Sequence, residues 1–555
     1  MKKLLGSPAR RTIFHLAAAG IVAASLASSG GCSFVVNADA HQCTTSADCA
    51  AFIGTVCSDR NVCVSGGTGC ATNSQCIDRY GADTYFCKKD AGKTAGTCTN
   101  VVNDICPQLL ADPGDLRNDE TVISSVFFMP SWFPLLKGGV DAVELARRDF
   151  KTTAGGLPPI HGGKPRPLVF IECDVPFGDQ DKNRDATNHL IDDVGIQGSI
   201  GPITGDWMSY YLTRAVQLKE AGPMLVTTGT RFPGFENIPG AQSLFFTVGL
   251  PSDGKGKSEA AVVPYFEKMI RDSGVTTPIK VAFAGPGTST YTAVQEAFSD
   301  AVKFNGKSSQ ENTPNNYKEF GWGDTSDATS VGYTNVVAGI LQFKPDIVVC
   351  DGSTLCADIV PAIDKSGQLP KAYYIIGQEG EQSELSDYIG TNESLRKRVL
   401  GTSPGRADQD LRVTRFKTRF LQTFNAPDEA QGFATAAYDM AYEMHYAIAA
   451  LGDKPVTGVS LGKTLLDRFK QGGFASNTYD AANAILKTYA ALQAGQNIDL
   501  DGVSHHAYFD SNGQALYEVQ VWCIDANTTL PNRFTTTGLS FVQGGTEVTG
   551  TNSCF

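Results

Sequence analysis

Beyond its first thirty or so residues the chain has no apolar run long enough to cross a bilayer, no surplus of basic charge and no Cys-x-x-Cys pair. It holds only 7 histidines and 4 tryptophans among 555 residues. Each absence excludes something. A spanning helix needs about 20 consecutive apolar residues, so any membrane attachment has to come from the N-terminus. The formal net charge is −12, from 46 basic and 58 acidic residues. Four of the basic residues (Lys2, Lys3, Arg10, Arg11) lie in the first 31 positions, so the remainder is more acidic still. Such a surface repels phosphate backbones and anionic lipid, which argues against nucleic acid as a partner. Without Cys-x-x-Cys, both thioredoxin-type redox chemistry and the common zinc spacings are missing. The histidines show no metal-ligand spacing, and the His505-His506 pair reads as part of a loop. Neither a metal nor a cofactor is implied.

What the N-terminus does have is a basic start, an apolar Ala-rich stretch over residues 13 to 27, and Ser29-Gly30-Gly31-Cys32. This reads as an export signal over residues 1 to 31. Small residues before a Cys resemble the bacterial lipoprotein signal, in which Cys32 is lipidated and becomes the mature N-terminus. The usual Leu three positions before the Cys is absent, so a plain secretory signal is the alternative. Twin-arginine export through Arg10-Arg11 ranks below both. The expectation is a cell-envelope protein, anchored by lipid and facing periplasm or exterior.

Ten of the 15 cysteines fall between Cys32 and Cys106, and setting Cys32 aside leaves an even number. Cys43, Cys49, Cys57 and Cys63 form one group, and Cys70, Cys76, Cys87 and Cys98 a second. In each group five residues separate the first two cysteines, which reads as a degenerate repeat. Few bulky apolar residues lie here, so the stretch needs disulfides to fold, as exported chains allow. Zinc is the rival reading, and the pairing stays open. Cys350 and Cys356 flank Asp351-Gly352-Ser353-Thr354, a spacing suited to a local disulfide. Residues 32 to 106 are thus a Cys-rich segment, and residues 107 to 120, with Pro107, Pro113 and Gly114, read as a linker.

From residue 121 on, apolar strands alternate with amphipathic helices, the pattern of an α/β fold with parallel sheets. More than 400 residues exceed one core and should divide in two. Residues 305 to 331, rich in Asn, Ser, Gly and Asp, read as a loop insertion. The clearest unit spans residues 198 to 231: a short strand ending in Gly201-Pro202, a helix over residues 208 to 221, and a second strand at residues 224 to 226. Ligands in such sheets sit at strand carboxyl ends, where N–H groups of the next helix converge. Thr204, Gly205, Thr228, Gly229 and Thr230 are therefore candidate ligand contacts.

Several stretches together carry a family resemblance. They are Gly139-Val-Asp-Ala-Val-Glu-Leu-Ala with Ala154-Gly155-Gly156, residues 168 to 174, Gly201-Pro202-Ile203-Thr204, residues 265 to 270 and residues 280 to 298. Gly377-Gln378-Glu379-Gly380, Leu400-Gly401-Thr402-Ser403 and Ala436-Ala437-Tyr438-Asp439 complete the set. From about Thr121 to Cys523 the chain resembles extracellular solute-binding proteins of the Leu/Ile/Val-binding type, the substrate-binding components of branched-chain amino acid ABC transporters. The resemblance implies a type I periplasmic-binding-protein fold: two Rossmann-like lobes joined by three crossings, residues 121–248 with 403–514, and 249–402 with 515–555. It further implies a small-molecule ligand in the cleft, an amino acid, amide or related carboxylate, and an ABC permease or a surface receptor as partner. The family's carboxylate-binding loop falls on Thr204 and Gly205, its second polar loop on Thr228 to Thr230, its cleft tyrosine on Tyr291 and its ammonium-binding acid on Glu379. A second cleft aromatic falls near Ser353, and Gly205 lacks the hydroxyl usual in amino-acid binders. Trp132 follows the first strand and reads equally as an aromatic wall or as packing.

Enzyme-like patterns are weaker. Gly458-Val459-Ser460-Leu461-Gly462 matches Gly-x-Ser-x-Gly, which leaves a secreted serine hydrolase using Ser460 as the rival from another class. No apolar strand precedes it, however, and Ser460 reads better as the cap of a helix over residues 463 to 469. Asp499 and Asp501 begin like a calcium loop, and Asp179, Asp181, Asn183 and Asp185 like another, but neither completes the pattern. The balance of these readings is a binding protein and not an enzyme, with a ligand sensor or scavenger as the alternative within the same fold.

Overall fold

The computed structural model describes residues 43 to 554, apart from 50–54, 58–62, 66–68, 91, 132–133, 161, 177, 230, 233, 288, 324–327, 391, 407–409, 427–431 and 527–533. The chain forms two compact units, residues 1–68 and 69–555. Cys32 and its neighbourhood lie outside the described residues. In the first unit, strands Thr55–Cys57 and Cys63–Ser65 pair antiparallel, and Cys43 is bonded to Cys57. Cys49 is also in a disulfide.

The second unit opens with the other cysteine group. Helix α1 (Asn73–Tyr80) starts where the Thr72 hydroxyl accepts from Gln75 N–H, and it stops at Gly81 in the left-handed region (φ 67). Strands β1 (Tyr85–Lys88) and β2 (Gly96–Asn100) pair antiparallel beside it. Cys70 is bonded to Cys87 and Cys76 to Cys98, so first joins third and second joins fourth. The sulfurs of Cys70, Cys76 and Cys98 lie within 4.8 Å of one another, which here is the crowding of two adjacent disulfides.

The expected linker at 107–120 is a correction. Residues Gln108–Leu110 form β3, an edge strand antiparallel to β5 (Leu168–Asp174). Cys106 is bonded to Cys173 at the end of β5. Val101, Cys106, Leu110 and Leu116 are buried in the core of the first lobe. The polar sequence hid this because an edge strand needs only one inward apolar residue, here Leu110.

The first lobe is a six-stranded sheet in the order β8-β7-β6-β4-β5-β3. Its members are β4 (Val122–Phe128), β6 (Gly198–Ile200), β7 (Met224–Thr227) and β8 (Phe245–Thr247) with β5, all parallel, plus the antiparallel β3. Helices α2 (Pro134–Ala154), α3 (Gln180–Asn188) and α4 (Gly205–Gln217) connect the strands. On α2, Val140, Val143, Ala146 and Phe150 are buried, as the helical period predicts. The second lobe begins with α5 (Ser252–Asp272) and contains β9 (Val281–Pro286), α6 (Ser289–Ala301), β10 (Tyr317–Trp322), α7 (Val331–Phe343), β11 (Ile347–Cys350), α8 (Cys356–Ser366), β12 (Tyr373–Ile376), α9 (Ser383–Gly390) and β13 (Val399–Pro404). The β10 strand lies inside the expected loop insertion, where it pairs parallel with β9 at the sheet edge. Only its end residues Tyr317 and Trp322 are buried, while Lys318 and Glu319 between them are exposed charges of the kind that protect an edge strand.

The chain then returns to the first lobe through α10 (Leu411–Phe424) and α11 (Gly432–Leu451), the latter buried along most of its length. Next come α12 (Gly458–Arg468), β14 (Phe469–Asn477), α13 (Ala481–Gln493), β15 (Ile498–Asp501) and β16 (His506–Phe509). It ends with β17 (Glu518–Ile524), which pairs antiparallel with β13, and β18 (Phe534–Val542), which pairs antiparallel with β17, in an eight-stranded sheet. The disulfide between Cys523 and Cys554 closes this end.

The lobes are thus joined by three passages, after β8, after β13 and before β17. Arg406, with a side chain 1% exposed, ties two of them to the first lobe. It donates to Asp501 (2.8 Å) and to the Gly502 carbonyl (2.8 Å), and it pairs with Glu518 (3.1 Å). Gln514 donates its side-chain N–H to the Gly249 carbonyl on the remaining passage (2.9 Å).

These contacts yield a truncation test. A chain starting at residue 69 should keep a single cooperative melt. One starting at residue 121 loses the buried side chains of Val101, Leu110 and Leu116, each contributing about 1.5–3 kcal/mol, and the Cys106–Cys173 disulfide, contributing about 2–5 kcal/mol. It should melt far lower or fail to fold, as followed by calorimetry.

Candidate functional site

The carboxyl ends of β6, β7 and β8 meet, and the residues that bring them together are small. The chain leaves β6 through Gly201 (φ +81) and a cis bond to Pro202. A Cβ at Gly201 would lie 2.4 Å from the Phe127 carbonyl oxygen, and one at Gly229 would lie 2.5 Å from that of Ile203. The fully buried Thr227 hydroxyl donates to the Pro202 carbonyl (2.7 Å) and accepts from Gly229 N–H (2.9 Å). One strand further, the Thr247 hydroxyl donates to the Gly229 carbonyl (2.7 Å) and accepts from Gly249 N–H (3.0 Å). Thr227 and Thr247 were not singled out from sequence. Their signal was there: a Thr as the last residue of each strand, followed by Gly two positions on.

The loops so fixed present Thr204, Gly205, Thr228 and Gly229 side by side. Thr204 stands at the N-cap of α4 with extended backbone (φ −96, ψ 146), yet its hydroxyl makes no capping bond. The Thr204 Oγ1 atom is buried and has no hydrogen-bond partner. The first N–H groups of a helix have no intrahelical acceptor and carry positive partial charge. Asp206, in the same turn, accepts from the Gln180 side chain (3.3 Å). Gly205 lacks a hydroxyl for a steric reason, since a Cβ there would lie 3.0 Å from that of Phe232. Thr228 is half-buried. Thr230 and Trp132 lie outside the described residues. Next to Thr230, Arg231 stacks over Phe235 at 4.8 Å and donates to the Asn512 carbonyl, reaching toward the third passage.

In the second lobe the corresponding strand ends are those of β11 and β12. The Cys350–Cys356 disulfide is formed, and between the two cysteines the Ser353 hydroxyl accepts from Leu355 N–H (3.1 Å). Ser353 is half-buried and shapes this turn. Asp351, 1% exposed, lies 3.5 Å from Lys255 in the first turn of α5. It packs onto Gly377, where a Cβ would fall 1.7 Å from Asp351 Oδ1. Sequence reading named Asp351 only as part of the Cys-flanked loop, and its ion pair with Lys255 joins elements about a hundred residues apart. Glu379 sits in the short turn Gln378–Gly380 after β12, and Tyr291 on α6. Their side chains lie outside the description.

The enzyme-like motifs resolve into structure. Thr457 caps α12, and Ser460 is its third residue in a reciprocal capping box, so the helix starts five residues earlier than expected. The Ser460 hydroxyl bonds Thr457 and the Pro455 carbonyl (2.9 Å). Gly458 and Gly462 allow close packing: a Cβ at either would lie about 2.1 and 2.3 Å from the Gly222 and Ser243 carbonyl oxygens respectively. Asp501 is held by Arg406 and Arg412, Asp499 by Tyr508, and Asp179 caps α3. A hydrogen-bonded Ser504–His505–Glu443 chain, with links of 2.7 Å each, is wholly buried. Asp439 fixes this turn through Val503 and Ser504 N–H.

No protein-family model matches the chain, and no curated protein matches it. Solved structures do. The branched-chain amino acid transporter substrate binding protein LivJ from Streptococcus pneumoniae, in complex with isoleucine, is similar over 78% of this chain and 99% of its own, with TM-score 0.51 and 14% identity. An ABC transporter substrate binding protein from Aeropyrum pernix is similar over 76% and 96%, with TM-score 0.50 and 13% identity. The chain therefore has the type I periplasmic-binding-protein fold, preceded by a disulfide-bonded Cys-rich region. Among the described residues no helix is long and apolar enough to cross a membrane.

One titratable group near these strand ends stands apart. Glu172 on β5 is 9% exposed and makes no hydrogen bond or ion pair among the described residues. Burial first, then the charges of Asp174 and Asp141, push its carboxyl up to about 7, against the opposing pull of Lys137. Because the folded-state value exceeds the ordinary one, the protein is most stable below pH about 4.5 with respect to this group, and it loses stability as pH rises to about 7. Glu172→Gln should raise stability by about 1–3 kcal/mol at pH 8 and leave it unchanged at pH 4.5. Urea melts at the two pH values check this, and an equal effect at both would refute the assignment.

Proposed function

We propose that the chain is an exported solute-binding protein that captures a small polar ligand between its two lobes, an amino acid, amide or related carboxylate, and hands it to an ABC-type importer. Capture proceeds by closure of the lobes about their three passages, with no bond made or broken in the ligand. The observation that carries the reading is the Thr204 hydroxyl. It is buried and unbonded at the start of a helix, beside the carboxyl ends of three parallel strands. A buried hydroxyl without a partner is costly, and such groups mark places where something else binds. The adjoining N–H groups and helix dipole suit a ligand's carboxylate. Thr228 and Gly229 would line the same pocket, and Glu379 and Tyr291 would approach from the second lobe. Glu379 would hold a ligand's ammonium. The same lobes could instead report ligand to a surface receptor.

A lipid on Cys32 would hold the protein at the envelope, facing periplasm or exterior. Cys32→Ser should move the protein from the detergent phase to the aqueous phase on phase partitioning. A mutant that partitions as wild type rules the anchor out.

Thr204→Val tests the capture reading through two opposite effects. Replacing an unpaired buried hydroxyl by an isosteric methyl should stabilise the ligand-free protein by about 1 kcal/mol, since a desolvation penalty is removed. The same change should weaken ligand binding by about 1–2 kcal/mol, roughly 5- to 30-fold. Melting curves with and without each member of a panel of amino acids, amides and small carboxylates measure both. Loss of ligand-free stability would mean that the hydroxyl is structural after all.

A further inference from the structure

We propose that the Cys350–Cys356 disulfide positions the second lobe's half of the site. It holds the turn that carries Glu379, so that ligand affinity depends on this bond more than the fold does. This rests on the capture reading above and deepens it.

The two lobes fasten their strand ends differently. In the first lobe β7 and β8 end in Thr227 and Thr247, whose hydroxyls tie each loop to its neighbour. At the carboxyl ends of β11 and β12 in the second lobe stand Cys350 and Ile376, and neither offers a hydroxyl. The disulfide takes that place. Cys350 is the last residue of β11 and Cys356 the first of α8, and both are fully buried. With Leu355 at its N-cap, α8 has no side-chain cap, and the covalent bond fixes its start instead.

Each half of the bridge then meets one end of the Glu379 turn. The Cys350 carbonyl accepts from Gly377 N–H (2.8 Å). At the other end, a Cβ on Gly380 would lie 3.6 Å from Cys356 Cβ and 2.2 Å from Ile376 Cγ2, so a glycine is what lets the turn lie against Cys356 and the end of β12. Gly380 N–H closes the turn on the Gly377 carbonyl (3.0 Å). Glu379 stands between these two glycines, and one covalent bridge holds the turn on both sides of it. The same bridge brackets the loop after β11, where Asp351 N–H donates to the Ala284 carbonyl in β9 (3.2 Å).

The bond is poorly placed to serve global stability. A disulfide stabilises a fold mainly by closing a loop in the unfolded chain, and more so for longer loops. Cys350 and Cys356 are 6 residues apart, against 31 for Cys523–Cys554 and 67 for Cys106–Cys173. What the short bridge fixes is local: a strand end, a helix start and the turn beside them. A binding group has to be held within about 0.5 Å of its productive place by the residues that support it.

The test uses the full mature chain with L-leucine, L-glutamine and L-glutamate as probes in isothermal titration, beside melting curves. The variant Cys350→Ser, Cys356→Ser should melt in one transition, with a smaller fall in Tm than Cys523→Ser, Cys554→Ser. It should weaken the best-bound probe roughly 10-fold or more, whereas the Cys523→Ser, Cys554→Ser control should shift that affinity less than about 3-fold. Gly380→Ala displaces the same turn with the disulfide intact and should also weaken binding roughly 10-fold or more. Adding Glu379→Gln to Cys350→Ser, Cys356→Ser should then cost less than about 3-fold further, because the carboxylate has already lost its place. Affinity unaltered in Cys350→Ser, Cys356→Ser, or a full additional loss on Glu379→Gln, would overturn the proposal and leave the capture reading standing. Failure of Cys350→Ser, Cys356→Ser to fold would overturn it too, since the bond would then serve the fold. Wild type binding none of the three probes, all of which carry an ammonium, would also overturn it. A ligand without an ammonium, found in the wider panel, would then leave the capture reading standing.

Discussion

The arrangement of the site depends on two threonine hydroxyls acting at right angles to their strands. Main-chain bonds hold β6, β7 and β8 in register only to their ends, and beyond those ends the backbones would diverge. Thr227 and Thr247 each donate to a carbonyl of a neighbouring loop and accept from an N–H two residues ahead. Each closes a turn and fastens it sideways in one step. Both are fully buried, so these bonds are shielded from competing water. The glycines at 201, 229 and 249 follow from this closeness, because each loop lies at carbonyl contact with the next and a side chain would hold them apart.

A second constraint governs how the lobes can move. Arg406 is a buried cation shared by Asp501 and Glu518, and removing one partner from such a group costs about 3–5 kcal/mol. Its anchors are on the first lobe and on the third passage, so the second and third passages are bound as a pair to the first lobe. Arg406 stands two residues after β13 and Glu518 opens β17, so the clamp sits where these two passages meet the second lobe's sheet. His506 lies 3.4 Å from Asp501, and burial together with the Arg406 charge lowers its pKa. Neutral His506 therefore leaves two arginines, Arg406 and Arg412, as the cations on Asp501 near pH 7.

Much of the fold could be read from residue patterns, and the failures have physical causes. The alternation of buried strands with amphipathic helices located β6 and β7 within a residue or two, because parallel strands covered on both faces are continuous apolar runs. The edge strands β3 and β10 were missed, since an edge strand is polar on one side and looks like a loop. The Cys-rich repeat was legible, but its continuation into the first-lobe core was not. That continuation depends on Cys173, 67 residues beyond Cys106, and no local pattern shows such a partner. The Thr204 and Gly229 loops do stand at the carboxyl ends of β6 and β7, a placement legible in sequence because the strand-turn-helix pattern is local.

Comparing helix starts within this one molecule separates scaffold from site. Thr72, Asp179, Ser308, Ser330, Asn392, Asp410 and Thr457 all cap their helices with a side-chain oxygen, as residues of these types do when nothing else claims them. Thr204 has the right residue type and an extended backbone, and it still leaves its hydroxyl unused. Asp480 at the start of α13 also makes no capping bond, but its carboxylate accepts from the Asn483 side chain (3.0 Å), whereas the buried Thr204 hydroxyl has no partner, and a local rule broken without compensation points to function. On the proposed capture reading, a capping bond here would use the oxygen that a ligand would need and would occupy an N–H that could reach it. Leaving the hydroxyl unbonded costs the ligand-free protein about 1 kcal/mol or more, which a bound carboxylate would offset. The same groups would then be a small destabilisation of the empty protein and a selective gain on binding.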